Sequence, residues 1–112
     1  VFDRFLLRKS VAPVRTAAGR ARLLWAAGFG AAAVAASPAE VDAARAAAAA
    51  LPWSAEAREA LEAVLRELAR EGVRPGDRRQ RKCVAAVRAF AYLNGADEVL
   101  PEHLEVAQHV LW

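Results

Sequence analysis

Methionine and isoleucine are absent from this chain of 112 residues, and cysteine, threonine and tyrosine each occur once. Without a methionine, Val1 is not a natural start, so the chain reads as a segment of a longer one. A single cysteine, Cys83, allows no internal disulfide and excludes a cystine-stapled secreted domain; cytoplasm is the expected compartment. With no isoleucine and one threonine, strand formers are scarce beyond twelve valines, while thirty alanines and fourteen arginines favour helix. That balance excludes a β-sandwich or β-barrel. Long apolar runs are missing as well: the longest stretch of apolar residues and glycine, Leu23 to Ala36, has fourteen residues, short of the roughly 20 a bilayer span requires. No signal peptide opens the chain. A soluble domain is expected.

The net charge of +3 hides an uneven distribution. Residues 1–36 sum to +5, residues 37–73 to −3 and residues 74–112 to +1. No uniformly basic face emerges, so nucleic-acid binding does not follow from charge. A β-capable run, Leu6 to Val11, closes at Pro13. Thr16 is placed to cap a short helix reaching Leu23, Leu24 and Trp25, with Gly28 to Ala36 as a linker. Ser37-Pro38-Ala39-Glu40 forms a capping box with proline at the first helical position, and Pro52 stops that helix. Ser54 opens another, whose Leu61, Val64, Leu65 and Leu68 follow a one-sided helical spacing. Arg58–Glu62 and Glu62–Arg66 are expected ion pairs on its outer side, and Gly72 ends it. The next helix runs from Gly76-Asp77 to Asn94-Gly95, with Cys83, Val87, Phe90 and Leu93 or Asn94 as its inner stripe. Pro101 starts the last, with Leu104, Ala107 and Leu111 inward. The expected architecture is mainly α: a bundle of four to five helices preceded by an orphan strand.

Most candidate chemistry dissolves on inspection. His103 and His109 fall on different helix faces and read as surface residues, not metal ligands. Cys83 reads as a small core residue, and Trp25, Trp53 and Trp112 as core or interface anchors. There is no serine–histidine–acid set and no glycine-rich phosphate loop. Two arginine clusters remain: Asp3-Arg4-Phe5, and Arg74 to Lys82 at a helix start. Several arginines at the positive end of a helix dipole are unfavourable for the helix and invite an anion, phosphate above all. The same residues also read as a solvated basic turn.

Three motifs resemble a known family. Val1-Phe2-Asp3-Arg4-Phe5-Leu6-Leu7-Arg8 is similar to the segment near the end of the ATPase core in MoxR-type AAA+ proteins. Gly76-Asp77-Arg78-Arg79-Gln80-Arg81-Lys82 resembles the sensor-2 segment of their regulatory-ATPase (RavA-like) branch. Asn94 to Leu104 and His109-Val110-Leu111-Trp112 resemble the closing motifs. Departures are Gly76 for a serine, Ala96 for an arginine, and Leu100 for a threonine or serine before Pro101. The resemblance implies that residues 1–30 are the C-terminal edge of an AAA+ core and residues 31–112 the helical lid with sensor 2. It implies an ATPase using ATP and Mg2+, in which Arg4 is the arginine finger reaching the neighbouring subunit's nucleotide. Arg78 would be the sensor-2 arginine, with Arg79 as the fallback. A homo-oligomeric ring, usually a hexamer, is implied, as is a von Willebrand factor A-domain partner. The rival reading is a small helical nucleic-acid-binding module that clamps phosphates with Arg74–Lys82 and stacks bases on Trp53 or Tyr92; the acidic middle argues against it. A bare protein-interaction bundle is the third.

Overall fold

The computed structural model describes residues 6–26 and 35–111. Four α-helices and one 3₁₀ helix follow in order: α1 (Ala17–Trp25), α2 (Pro38–Ala50), α3 (Ala55–Arg70), α4 (Asp77–Leu93) and a 3₁₀ helix (Pro101–His109). The strand expected over Leu6–Val11 is not formed. The Arg8 amide donates to the His109 carbonyl at 2.9 Å, and one such bond does not make a ladder.

Local chemistry sets the helix ends. Thr16 accepts from the Gly19 amide at 3.1 Å and starts α1. The capping box at α2 is complete: Ser37 Oγ accepts from the Glu40 amide, and Glu40 Oε2 accepts from the Ser37 amide. Ser54 caps α3 through the Ala57 amide. Both α3 and α4 end at a left-handed glycine, Gly72 at φ 82° and Gly95 at φ 73°. In each, the glycine amide and the next amide turn back onto the last helical turn, Gly95 to Tyr92 and Ala96 to Ala91, the Schellman arrangement.

The last helix departs from expectation. It is 3₁₀ over nine residues, whereas such runs are usually short. A period of three places Leu104, Ala107 and Val110 in one row; Ala107 and Val110 are buried and Leu104 packs against them. Leu100 supplies no capping oxygen. Instead His103 Nδ1 accepts from the Leu100 amide at 2.9 Å.

α4 is the central element, packing against both α2 and the 3₁₀ helix, while α3 packs against the 3₁₀ helix. Cys83, Val87 and Ala91 carry its buried stripe. Expectation followed this stripe to Leu93 or Asn94, but Leu93 is 80% exposed. The helix terminates there, and the i+4 step from Val87 reaches Ala91. Trp53, Ala57 and Val99 complete the centre of the core. The loops after α2 and α4 are stitched by a parallel bridge between Trp53 and Val99, with Ser54 N–H to Val99 O and Val99 N–H to Pro52 O. On α3 the ion pair is Arg70–Glu67 at 3.0 Å, replacing the expected Arg58–Glu62 and Glu62–Arg66 pairs. Val64, expected inward, is exposed at 38%. Among the described residues, none of α1 is buried, and α1 packs against no other helix.

Candidate anion-binding cleft between two helices

Between α2 and α4 lies a cleft of about 560 Å³. Its cations are Arg45 from α2 and Arg78, Arg81, Lys82 and Arg88 from α4, set over an apolar floor that includes Ala48 and Val84. The helical repeat explains the grouping. Positions 78, 81, 82, 85, 88 and 89 recur at three- and four-residue steps and share one face. Among the described residues, no acidic side chain lines the cleft. Arg45 makes an ion pair with Asp42 at 3.4 Å, but both side chains are at least 75% exposed, so solvent screens the pair.

The N-terminus of α4 opens beside this cleft. Gly76 offers no side-chain cap, and its carbonyl accepts from the Arg79 and Gln80 amides at 2.8 and 3.0 Å. Gln80 Nε2 closes the turn by donating to the Pro75 carbonyl at 2.7 Å. The two neighbouring arginines then part company. Arg78 is exposed and lines the cleft. Arg79, about 100° further round the helix, is half-buried and donates through Nη1 to the Val110 carbonyl at 2.8 Å. The basic cluster from Arg74 to Lys82 is therefore not a continuous clamp. Arg4 lies outside the described residues.

The remaining candidate residues divide between core and surface. Cys83 is fully buried, and burial pushes its thiol up to about 11. It stays protonated at neutral pH and serves packing, as its place on the inner stripe indicates. His103 is buried, against expectation. Its ring meets Phe90 edge-on at 6.3 Å and 72°, and it holds the Leu100 amide. Trp53 is buried in the core, so its face is closed to base stacking, while Trp25 is 82% exposed and anchors no core among the described residues. Among the described residues no group of three His, Cys, Asp or Glu could hold a metal ion, and no helix is long and apolar enough to cross a membrane. Arg45 and Arg88 were missed from sequence. For Arg88 a signal existed, its spacing of seven and ten from Arg81 and Arg78; Arg45 gave none, because only the packing of α2 on α4 brings it across.

The cleft is thus a basic stripe beside a helix N-terminus, on a small helical bundle built around that helix. The chain belongs to the AAA lid domain family, whose model matches residues 56–112, the span of α3, α4 and the 3₁₀ helix. It is similar to two uncharacterized proteins of Methanocaldococcus jannaschii. With MJ0812 it shares 45% identity over 42 residues, 38% of this chain and 11% of that protein. With MJ0079 it shares 39% over 49 residues, 44% of this chain and 13% of that protein. The matched stretches thus span only a small part of those relatives' length. No solved structure matches the chain significantly.

Proposed function

We propose that this chain is the lid, with the adjoining edge of the core, of a MoxR-type AAA+ ATPase, and that Arg78 is its sensor-2 residue. Residues 1–30 belong to the core edge and residues 31–112 to the lid. What carries the reading is the contrast between two adjacent arginines: Arg78 stands exposed in a cationic cleft, and Arg79 is committed to Val110. The cleft fits a phosphate chemically, since guanidinium and ammonium groups at a helix N-terminus all favour an anion. Mg2+ would be held mainly by residues of the core domain. When bound, ATP with Mg2+ supplies the phosphoryl group to be transferred. Arg78 holds a phosphate oxygen from the lid side and so ties lid position to the nucleotide. Arg4, from a neighbouring subunit of a homo-oligomeric ring, offsets charge on the terminal phosphoryl oxygens; trans-acting arginines of this kind are worth ~10³–10⁵ in turnover. Hydrolysis then releases Arg78, and the lid moves against the core. That stroke would remodel a partner protein, with a von Willebrand factor A-domain protein as the partner class the resemblance implies.

The test is ATP binding and turnover by the full-length protein. Arg78→Ala is expected to weaken ATP binding or to uncouple it from hydrolysis, whereas Arg4→Ala is expected to abolish turnover with binding retained. Wild-type behaviour of the Arg78 variant on both measures would overturn the assignment. Residues 1–112 alone are expected to hydrolyse nothing.

A further inference from the structure

Arg88 stands where two openings meet. It lines the α2/α4 cleft, and it also lines a second groove of about 370 Å³ on the α3 side of α4, with Trp53, Arg58, Leu61, Glu62 and Val84. Two buried donors on that groove lack an acceptor: Arg88 Nε and Trp53 Nε1. A buried donor left without a partner costs stability, and native structures rarely leave one so. Both lie at the inner edge of the groove, beneath the exposed guanidinium ends.

The cations also extend beyond what a phosphate at Arg78 engages. From Arg78 to Arg88 is ten residues of helix, about 15 Å at the α-helical rise, or the length of about five residues of extended peptide. Arg45 faces the α4 stripe from α2, with only the exposed Asp42 beside it. Arg58 adds a guanidinium on the far side.

We propose that the Arg45–Arg88 end of the cleft and the adjoining Trp53 groove together form a docking site for an extended acidic peptide segment of a partner protein. Carboxylates of the peptide pair with the guanidinium groups of Arg45, Arg88 and Arg58 that line the two openings. Apolar side chains between the carboxylates rest on the alanine and valine floor. Nucleic acid fits less well. The indole of Trp53 is buried and cannot stack on a base, and the floor is apolar. Neither Arg4 nor Arg78 takes part, so this site stands apart from the nucleotide reading.

The experiment titrates the full chain, in low salt, against a fluorescein-labelled peptide of about ten residues, rich in glutamate with interspersed leucine. Fluorescence anisotropy reads binding, and an oligothymidylate of equal charge is run in parallel. Arg88→Gln is expected to weaken peptide binding about tenfold or more, the loss of charge-assisted contacts. Arg45→Gln, at a side chain 77% exposed where no fold defect is expected, should also weaken it. Arg66→Gln, on the exposed side of α3, should leave binding unchanged. Equal binding by the Arg88 and Arg45 variants overturns the proposal. So does an equal loss on Arg66→Gln, which would mean diffuse charge attraction, and so does tighter binding of the oligothymidylate with the same dependence on Arg88.

Discussion

The guanidinium of Arg79 donates to the main-chain carbonyl of Val110 across 2.8 Å, joining positions 31 residues apart. This bond fastens the first turn of α4 to the end of the 3₁₀ helix. Its neighbour Arg78 makes no such commitment and lies exposed in the cleft. A helix turns about 100° per residue, so two consecutive arginines can serve structure and ligand separately.

A difference in stability follows. Arg79→Gln removes a charged donor from a carbonyl on the buried residue Val110 and is expected to cost on the order of 1.5–3 kcal/mol. Arg78→Gln, at an exposed position, should stay within about 0.5 kcal/mol of the parent. Denaturant unfolding of the two variants decides it. The reverse ranking would mean that the roles of the two arginines are exchanged.

Cys83 makes stability depend on alkaline pH. Its folded thiol titrates near 11, above the ordinary value of 9.0, because burial disfavours the thiolate. The folded state therefore holds this proton more tightly than the unfolded state does. Stability from Cys83 is complete below about pH 9 and is lost as pH rises toward 11, by on the order of 2 kcal/mol. The stability of the parent should fall over this window more steeply than that of Cys83→Ala. Parallel slopes would show that the thiol carries no such linkage. Alkylation at pH 8 should likewise be slow until denaturant is added.

Much of this architecture was legible because its signals are local. Ser37-Pro38-Ala39-Glu40, Ser54, Gly72 and Gly95 each fix a helix end by chemistry within a few residues, and the helices stop and start where those residues predict. The AAA lid family was legible from the segment Gly76 to Lys82 and the closing motifs, again short patterns. What misled was tertiary. Leu6–Val11 has strand-forming residues, but among the described residues no strand pairs with it; the Arg8 amide donates to the His109 carbonyl and Leu6 packs against the core. Leu104, Ala107 and Leu111 face inward as their spacing predicts, but that spacing gave no sign that His103 would be enclosed between Phe90 and the turn at Leu100. Arg45 joined the site only because α2 lies across α4, which no sequence spacing encodes.

Helix α2 buries a single residue, Ala48, so its N-terminus depends on the cap. The hydrogen bonds from the Ser37 backbone and hydroxyl hold the Glu40 carboxyl below its ordinary 4.5. A depressed carboxylate contributes stability above the unfolded value and loses it as pH falls through the folded value. Amide exchange in the first turn of α2 should therefore accelerate on acidification below pH 4.5, ahead of global unfolding. Ser37→Ala should show that acceleration already at neutral pH, together with a loss of helicity. An unchanged first turn in that variant would remove the capping box from any role in holding α2.

His103 performs two tasks that separate substitutions can divide. Its Nδ1 accepts from the Leu100 amide at 2.9 Å, supplying from within the 3₁₀ helix the contact that a capping side chain at position 100 would otherwise help provide. Its ring also meets Phe90 edge-on, a contact worth about 0.5–1.5 kcal/mol between aromatic groups. His103→Asn keeps an acceptor near the position of Nδ1 and loses the ring, so its cost should stay close to that ring contribution. His103→Leu fills space but leaves the Leu100 amide without its acceptor, at on the order of 1–3 kcal/mol. Hydrogen exchange of that one amide distinguishes the two: it should remain protected in His103→Asn and exchange faster in His103→Leu. Equal protection in both would mean that Leu100 is shielded by packing alone, and that the turn into the 3₁₀ helix does not need the imidazole.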